Sequence, residues 1–233
     1  MEFESRLAKR IVERKNGRTP LRAGLVAFGA LAIVLTLASA GIGSSQGVIM
    51  VSSKTSLAEF LGTFDGVQNV IMIEVSTSQD LVAIKTPLKG HLSGLDAISY
   101  KLFVSQTGGD GPHEPFVVIK LTAARSLICQ PTDSYAAGGW SLPFLEWQLR
   151  DVVAGGLWTL KPSSGLPLLA PLTTWIANLG DPQVVGLSVV AGHWQTPNPF
   201  ECDLGDLSVN GVSIGIANAK RTTGSITELL SDL

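Results

Sequence analysis

The chain has 233 residues, of which 45% are hydrophobic and only 15% charged, with 17 Lys+Arg against 19 Asp+Glu and a formal net charge of -2. A globular chain usually carries about a quarter charged residues, so this one is charge-poor, and its totals exclude the basic excess of a nucleic-acid-binding protein. Disorder over most of the length is also excluded, because so many apolar residues need burial.

The first 43 residues have the charge pattern of a membrane anchor. Residues 1–22 contain seven basic and three acidic side chains, whereas residues 23–43 (AGLVAFGALAIVLTLASAGIG) are uncharged and nearly all apolar. A helix rising about 1.5 Å per residue needs about 20 such residues to cross a bilayer core. Because the basic flank stays in the cytoplasm, we expect a cytoplasmic segment, a single transmembrane helix and an extracytoplasmic C-terminal part in the cell membrane.

Two alternatives compete with a retained anchor. Ala38-Ser39-Ala40 fits the small-residue pattern at which a signal peptide is cleaved, and the apolar stretch also fits a buried helix of a soluble protein. Both the anchor and the signal peptide export the C-terminal part, so cleavage after Ala40 stays open.

The exported part has the pattern of a β protein. We expect a linker or first strand over residues 44–56, a sandwich domain over 57–216 and a tail over 217–233. One short helix is predicted to end at Gly180, and Asn210-Gly211 predicts a hairpin turn. The predicted strands are runs rich in Val and Ile, bounded by turn residues: Val67–Ser76, Leu81–Thr86, Ala97–Ser105, Phe116–Ala123, Leu127–Cys129, Val184–Val190 and Leu204–Val209.

The strand spacing predicts an antiparallel sandwich and disfavours a doubly wound parallel sheet. The stretches LSGLDAISYKLFVSQ, HEPFVVIKL, DPQVVGLSVVAGHW and CDLGDLSVNG resemble the jelly rolls of carbohydrate-binding modules, galactose-binding domains and laminin-G domains. The resemblance implies a mainly β, antiparallel jelly-roll sandwich, here preceded by the single transmembrane helix. It also implies sugar binding, although many such domains are only structural.

Cys129 and Cys202 are the two cysteines of the chain. Two cysteines in an exported domain often pair, and a bridge closing a loop of about 73 residues would stabilise the fold by about 4 kcal/mol. We therefore expect a disulfide, the alternative being two buried thiols.

Acidic residues near the C-terminus offer two further hypotheses. Glu201-Cys202-Asp203-Leu204-Gly205-Asp206 resembles the Glu-x-Asp-x-x-Glu signature of laminarinase-type glycoside hydrolases, with a shorter acid in the last place. The resemblance to sugar-binding jelly rolls instead implies a structural calcium ion, with Asp203 or Asp206 as ligand and Asp65 or Glu59 completing the site. A solvated acidic strand edge is the plain alternative.

The candidate ligand-binding residues are Trp194 and His193, because exposed tryptophan stacks on sugar rings and the following residues Gln195–Pro199 are polar or proline. Alternatively, Trp194 caps the end of the sandwich. The sequence has no zinc, dinucleotide or phosphate-loop motif, so no catalytic residue and no certain cofactor are predicted.

Together these patterns predict a membrane-anchored, outward-facing β-sandwich with a non-enzymatic binding or structural role at the cell surface. Carbohydrate binding is the form of this role that the resemblance to sugar-binding jelly rolls implies. The expected partners are the lipid bilayer and a surface polysaccharide or other surface proteins, without nucleic acid. The alternatives are a pilin-like or surface-layer filament subunit and a laminarinase-type glycoside hydrolase.

Overall fold

The structure is a computed structural model that describes residues 43–44, 47–53, 56–77, 80–106, 114–122, 124–130, 144–161, 169–192 and 200–223. The predicted cytoplasmic segment and all of the predicted membrane helix except Gly43 lie outside these residues. No helix in the described ranges is long and apolar enough to cross a membrane. The transmembrane helix therefore stays a prediction.

Nearly all described regular structure is β. The strands are β1 (Gly43–Ser44), β2 (Ile49–Ser52), β3 (Leu57–Phe64), β4 (Val67–Val75), β5 (Leu81–His91), β6 (Ile98–Gln106), β7 (Phe116–Leu121), β8 (Arg125–Cys129), β9 (Gln148–Asp151), β10 (Trp158–Lys161), β11 (Gln183–Gly192), β12 (Phe200–Val209), β13 (Val212–Ser213) and β14 (Lys220–Thr223). The described α-helices are α1 (Val152–Gly155) and α2 (Leu172–Leu179).

The strands form two sheets. An eight-stranded sheet has the order β10-β8-β7-β11-β5-β2-β14, with β1 also paired to β5, and a six-stranded sheet has the order β3-β4-β12-β6-β9, with β13 paired to β12. All described pairings are antiparallel except that of β14 with β2. Consecutive described strands change sheet at β2–β3, β4–β5, β5–β6, β6–β7, β8–β9, β9–β10, β11–β12 and β13–β14, and such repeated crossings are typical of jelly-roll sandwiches. The predicted mainly β, two-sheet sandwich is confirmed.

The two sheets share one apolar interior because alternate residues of each strand point inward. Ile71 and Ile73 of β4, Leu204 of β12 and Val117 and Ile119 of β7 belong to the same buried cluster. All seven predicted strands overlap observed strands of this core. The hairpin turn at Asn210-Gly211 is also confirmed, with positive φ at both residues, as such a tight turn requires.

Helix α2 confirms the predicted helix and its end. Gly180 has φ 68° and ψ 39° and its N–H bonds to the Ile176 carbonyl, the left-handed ending for which glycine is favoured. Trp175 of this helix is buried, and its indole Nε1 donates to the Trp158 carbonyl oxygen at 2.9 Å. The helix is thereby fixed to β10 at one end of the eight-stranded sheet.

The predicted disulfide is wrong. Cys129 of β8, in the eight-stranded sheet, and Cys202 of β12, in the six-stranded sheet, are both buried and are not bridged. Both thiols instead fill the shared core, so the alternative of two buried thiols is the observed one.

A buried ion pair lies in the same interior. Arg150 of β9 donates to Glu114 through Nε at 3.1 Å and Nη2 at 2.6 Å, and the two side chains are 3% and 0% exposed. Burial raises the pKa of the Glu114 carboxyl, against the lowering effect of the hydrogen bonds and charge of Arg150. Burial first, and then the Glu114 charge, raises the pKa of Tyr100 well above its ordinary value. Removing either member of the pair would leave an uncompensated buried charge.

Candidate functional site

The outer face of the six-stranded sheet collects polar and aromatic side chains. On β12, Phe200, Cys202 and Leu204 belong to the core, so the alternate residues Glu201 and Asp203 point to the outside. The same alternation on β6 directs Lys101, Phe103 and Ser105 outward, because Tyr100, Leu102 and Val104 are core residues.

Strand register places these outward residues side by side in rows. Glu201 of β12 lies opposite Glu74 of β4, and its Oε1 accepts a hydrogen bond from Ser105 Oγ at 2.9 Å. In the next row, Asp203 lies between Met72 of β4 and Phe103 of β6. Glu59 of β3 extends this row, since it lies opposite Met72. Asp203 and Met72 are buried at these outward positions, so Glu59, Glu74 and Glu201 are the carboxylates of these two rows that remain accessible.

Three aromatic rings form a cluster on this face. The Trp147 ring lies 5.6 Å from Phe103 at an interplanar angle of 51°, and 6.4 Å from Phe64 at 58°. Tilted pairs at these distances are a favourable arrangement of aromatic rings. Trp147 itself is half-buried, and its indole nitrogen has no hydrogen-bond partner among the described residues. The cluster joins β3, β6 and the residue preceding β9 into one apolar surface.

A bulge in β12 turns a further carboxylate towards its neighbours. Asp206 has φ 49° and lies where the register of β12 with β6 shifts between Gly205 and Ser208. Its Oδ2 is 3.0 Å from Lys101 Nζ, and its Oδ1 accepts from the Gln68 N–H at 3.3 Å. Asp206 is the last acid of the hydrolase-like signature, and its carboxylate therefore already binds Lys101 and the Gln68 N–H.

We call this surface the acidic face, defined by its accessible carboxylates Glu59, Glu74, Glu201 and Asp206. Lys101 is the one basic side chain at the outward positions of the described strands of this sheet. The excess of carboxylates gives the face a negative potential that favours neutral or cationic groups over anionic ones.

The calcium hypothesis finds no support in this geometry. The described residues contain no group of three or more His, Cys, Asp or Glu placed to hold a metal ion, although Asp65, Asp203 and Asp206 are all among them. Asp65 lies in the β3–β4 turn with φ 50°, Asp203 is buried within β12, and Asp206 is paired with Lys101. Calcium binding therefore stays a prediction without an assembled ligand set.

The remaining predicted site residues divide into two groups. Trp194 and His193 lie in residues 193–199, outside the described ranges, so their role stays a prediction. Glu201, Asp203 and Asp206 do lie on one strand of the acidic face. Four further residues of this surface were not predicted from the sequence: Phe64, Phe103, Trp147 and Ser105. The alternation of Lys101, Phe103 and Ser105 along β6 is a signal that could have identified two of them.

The fold and its outer face define a class of protein, the two-sheet β-sandwich with an aromatic and acidic sheet face. No family model and no curated protein matches the sequence. Among solved structures, the chain is similar to a family 11 carbohydrate-binding module from Clostridium thermocellum, in complex with a β-1,3-1,4-mixed-linked tetrasaccharide.

That similarity covers 74% of this chain and 89% of the module, with 10% sequence identity and a TM-score of 0.39. It is the kind of domain that the sequence resembles. The sandwich architecture is defined by the strand order of the two sheets.

Proposed function

We propose that this protein is a membrane-anchored, outward-facing binding module that binds carbohydrate on its acidic face and performs no catalysis. The observation that supports the proposal most directly is the Phe64–Trp147–Phe103 cluster on a sheet face that also holds carboxylates and hydroxyls. The membrane anchor is inferred from the uncharged apolar residues 23–43 and their basic flank.

Sugars need two kinds of surface at once, and the acidic face has both. The C–H side of a pyranose ring is apolar and packs on aromatic rings such as Trp147 and Phe103, while its hydroxyls donate to carboxylates and accept from hydroxyls. Glu201 is already oriented by Ser105 at 2.9 Å, so little side-chain entropy is lost when it accepts a sugar hydroxyl.

The negative charge of the acidic face favours some polysaccharides over others as ligands. With Glu59, Glu74 and Glu201 set against Lys101 alone, a polymer of uronic acids or sulfated sugars would meet like charge, which opposes binding. A neutral polysaccharide or one containing protonated amino sugars meets no such barrier. We therefore propose neutral or amino-sugar polysaccharides as the ligands.

We also propose that the protein performs no catalysis, because its candidate acids are held in hydrogen bonds and an ion pair. Glycoside hydrolysis of the usual kind needs a carboxylic acid and a second carboxylate on either side of the scissile bond. Asp206 is engaged by Lys101 and the Gln68 N–H, and Glu201 is engaged by Ser105. These contacts suit fixed hydrogen-bond acceptors better than an acid that must exchange protons.

The test is affinity electrophoresis of the full chain in mild detergent through gels containing neutral, amino-sugar or uronic-acid polysaccharides. We expect retardation by a neutral or amino-sugar polymer, and at least a tenfold loss of affinity in Trp147→Ala, because aromatic anchors dominate binding energies. Val185→Ala is the matched control, since Val185 is 43% exposed on the other sheet.

Three results would contradict the proposal. They are equal affinity of the Trp147→Ala and Val185→Ala proteins, preferential binding of uronic-acid polymers, and release of reducing ends from β-glucan that Glu201→Gln abolishes. The last result would instead establish the hydrolase alternative.

A further inference from the structure

Trp147, which contacts both other rings of the aromatic cluster, is attached to a strand with little apolar anchorage. It directly precedes β9, a strand of four residues with which only β6 pairs among the described strands. Of the four side chains of β9, only Arg150 is buried, and Leu149 is 65% exposed. A segment with few buried apolar contacts opens easily unless other contacts hold it. The position of Trp147 therefore depends on what a buried, charged side chain contacts.

The Arg150 guanidinium holds two different partners. Its Nε and Nη2 donate to Glu114 in the core at 3.1 and 2.6 Å, and its Nη1 donates to Gln148 Oε1 at 3.0 Å. A guanidinium is planar and rigid, so the two bonds to Glu114 fix the direction in which Nη1 points. Arg150 thus binds Gln148 from a position that is itself fixed in the core.

A further hydrogen bond extends this network across Trp147. Gln148 Nε2 donates to Glu146 Oε1, and these two residues lie on either side of the tryptophan along the chain. The backbone before and after Trp147 is therefore connected to one side-chain network that begins at Arg150. Connected hydrogen bonds of this kind make a segment more rigid, which restricts the directions available to the Trp147 ring.

Backbone strain in the preceding residue shows why this segment needs such restraint. Leu145 has φ 60°, in the left-handed region that is unfavourable for a bulky side chain. Its N–H donates to the Val104 carbonyl oxygen at 2.9 Å, and Phe144 forms an isolated bridge with the same residue. A strained conformation persists only where its surroundings hold it. We expect residues 144–148 to relax when their side-chain contacts are removed.

The orientation of Trp147 matters for two contacts that a sugar would make. Its ring lies 5.6 Å from Phe103, so the two rings together form one apolar surface for the C–H side of a pyranose. Its indole N–H has no partner among the described residues, and it would donate to a sugar hydroxyl only while the ring keeps this orientation.

We propose that Arg150 is a positioning residue for carbohydrate binding. Through Gln148 it keeps the Trp147 ring in the orientation that binds sugar, while Glu114 fixes Arg150 itself. This inference rests on the function proposed for the acidic face and adds to it residues that do not contact the polysaccharide. Restraint before binding raises affinity because less entropy is lost when the complex forms. The affinity of a surface site is thereby determined in part by a contact inside the core.

The test measures the Trp147 ring and polysaccharide binding separately, on the full chain in mild detergent. Fluorine NMR of protein labelled with 5-fluorotryptophan reports on each indole, and Trp147→Phe identifies the Trp147 resonance among those of the five tryptophans. Affinity electrophoresis through gels containing β-glucan or glycol chitosan measures binding to a neutral and to an amino-sugar polymer.

Gln148→Met is the principal variant, because it removes both side-chain hydrogen bonds of Gln148 and leaves the pair of Arg150 with Glu114 in place. We expect the Trp147 resonance to move towards its position in the denatured protein. The affinity for the retarding polymer should fall about five-fold, the usual net contribution of one hydrogen bond. Gln183→Met is the matched control, since Gln183 is exposed on the other sheet, and it should change neither measurement. Both variants should unfold in a single transition, so that folded proteins are compared.

Two further variants distinguish positioning from a general loss of structure. The exchange of Glu146→Gln with Gln148→Glu reverses donor and acceptor, so both side-chain hydrogen bonds at position 148 are retained. We expect this exchange to restore the Trp147 resonance and the affinity to the values of the unaltered chain. Arg150→Lys keeps a cation beside Glu114 but lacks the rigid fork, and it should move the Trp147 resonance as Gln148→Met does.

The outcomes separate this inference from the function on which it rests. If a polymer retards the unaltered chain but Gln148→Met leaves the Trp147 resonance or the affinity unchanged, binding stands and the positioning role is overturned. If the exchange of positions 146 and 148 fails to restore both measurements, the hydrogen-bond network is not the cause, and the positioning role is overturned as well. If no neutral or amino-sugar polymer retards the unaltered chain, the carbohydrate function fails and the positioning role fails with it.

Discussion

The two sheets of this sandwich are alike inside and opposite outside. Their inward positions supply one shared apolar core, but the described strands of the eight-stranded sheet contain seven basic and no acidic residues. Those of the six-stranded sheet contain six acidic residues and two basic ones. The formal net charge of -2 for the whole chain gives no sign of this segregation between the sheets.

Residues of like charge are brought together by strand register, although they lie far apart along the chain. Lys85 and Lys220 are far apart in sequence but are separated only by Ile49 in the sheet. Glu59 and Asp203 are brought to one row in the same way, across Met72.

The shared interior is the feature whose disruption should affect both faces most. Arg150→Met leaves the Glu114 carboxyl buried without the guanidinium that binds it, and breaking such a pair costs about 3–5 kcal/mol of the free energy of unfolding. Denaturant unfolding of the full chain in detergent measures this loss, which should abolish polysaccharide retardation where the fold is lost.

The pH dependence of that loss has a definite sign. Burial raises the pKa of Glu114 in the folded state, and Arg150 opposes the rise, so Arg150→Met should raise this pKa further. A raised carboxyl pKa favours the folded state only while the group is protonated, so its contribution is lost as pH increases through the folded value. We expect a larger destabilisation at about pH 7 than at about pH 4. A loss independent of pH would contradict this explanation.

A paired control distinguishes lost charge compensation from lost packing. Replacing both partners, Arg150→Met with Glu114→Leu, removes the uncompensated charge and should recover most of the stability, because apolar replacements of buried ion pairs are often neutral or stabilising. If the double variant is as unstable as Arg150→Met alone, packing around Arg150 is the cause instead.

Much of this interior was predictable from the sequence, but the parts that depend on short strands were not. Runs such as Val70–Val75 are long and β-branched and identified β4 directly. Strand β9 has only four residues, and its one buried position is Arg150, so it shows no apolar alternation. The disulfide prediction failed because the number and spacing of two cysteines do not state whether their Cβ atoms approach each other in the folded core.

The candidate site was predictable only in part. Glu201, Asp203 and Asp206 are close in sequence, so their chemistry is visible as a motif. Trp147 meets Phe103 and Phe64 only through the pairing of β6 with β9 and the fold of the β3–β4 hairpin. A tryptophan outside any recognisable strand gives no indication of which sheet face it joins.

Reversing one charge on the acidic face tests whether the position of Glu74 determines the ligand preference. Glu74 lies opposite Glu201, and like charges directly opposite each other in a sheet are destabilising. We expect Glu74→Lys to stabilise the fold by about 0.5 kcal/mol, and to reduce the preference for neutral or amino-sugar over uronic-acid polysaccharides by about five-fold. Thermal unfolding and affinity electrophoresis measure the two effects.

Thr63→Lys is the control for that reversal. It adds a cation to the exposed end of β3 without a glutamate directly opposite. We expect it to change the polymer preference less than Glu74→Lys does and to leave stability unchanged. If both variants alter the preference equally, net charge and not the position of Glu74 determines selectivity.

The smallest expected effect concerns the one ion pair at the rim of the acidic face. Lys101 Nζ and Asp206 Oδ2 are 3.0 Å apart, with both side chains more than a third exposed, and solvent-exposed pairs contribute about 0.2–1 kcal/mol. A double-mutant cycle of Lys101→Gln and Asp206→Asn should therefore give a coupling below about 0.5 kcal/mol in the free energy of unfolding, weakening further with salt. Asp206→Asn alone should cost slightly more, because the bulge also uses this carboxylate to accept from the Gln68 N–H. A coupling above about 2 kcal/mol would mean that the pair is shielded from water, and Asp206 would then have to be treated as a structural residue of the bulge, not as part of a ligand-binding surface.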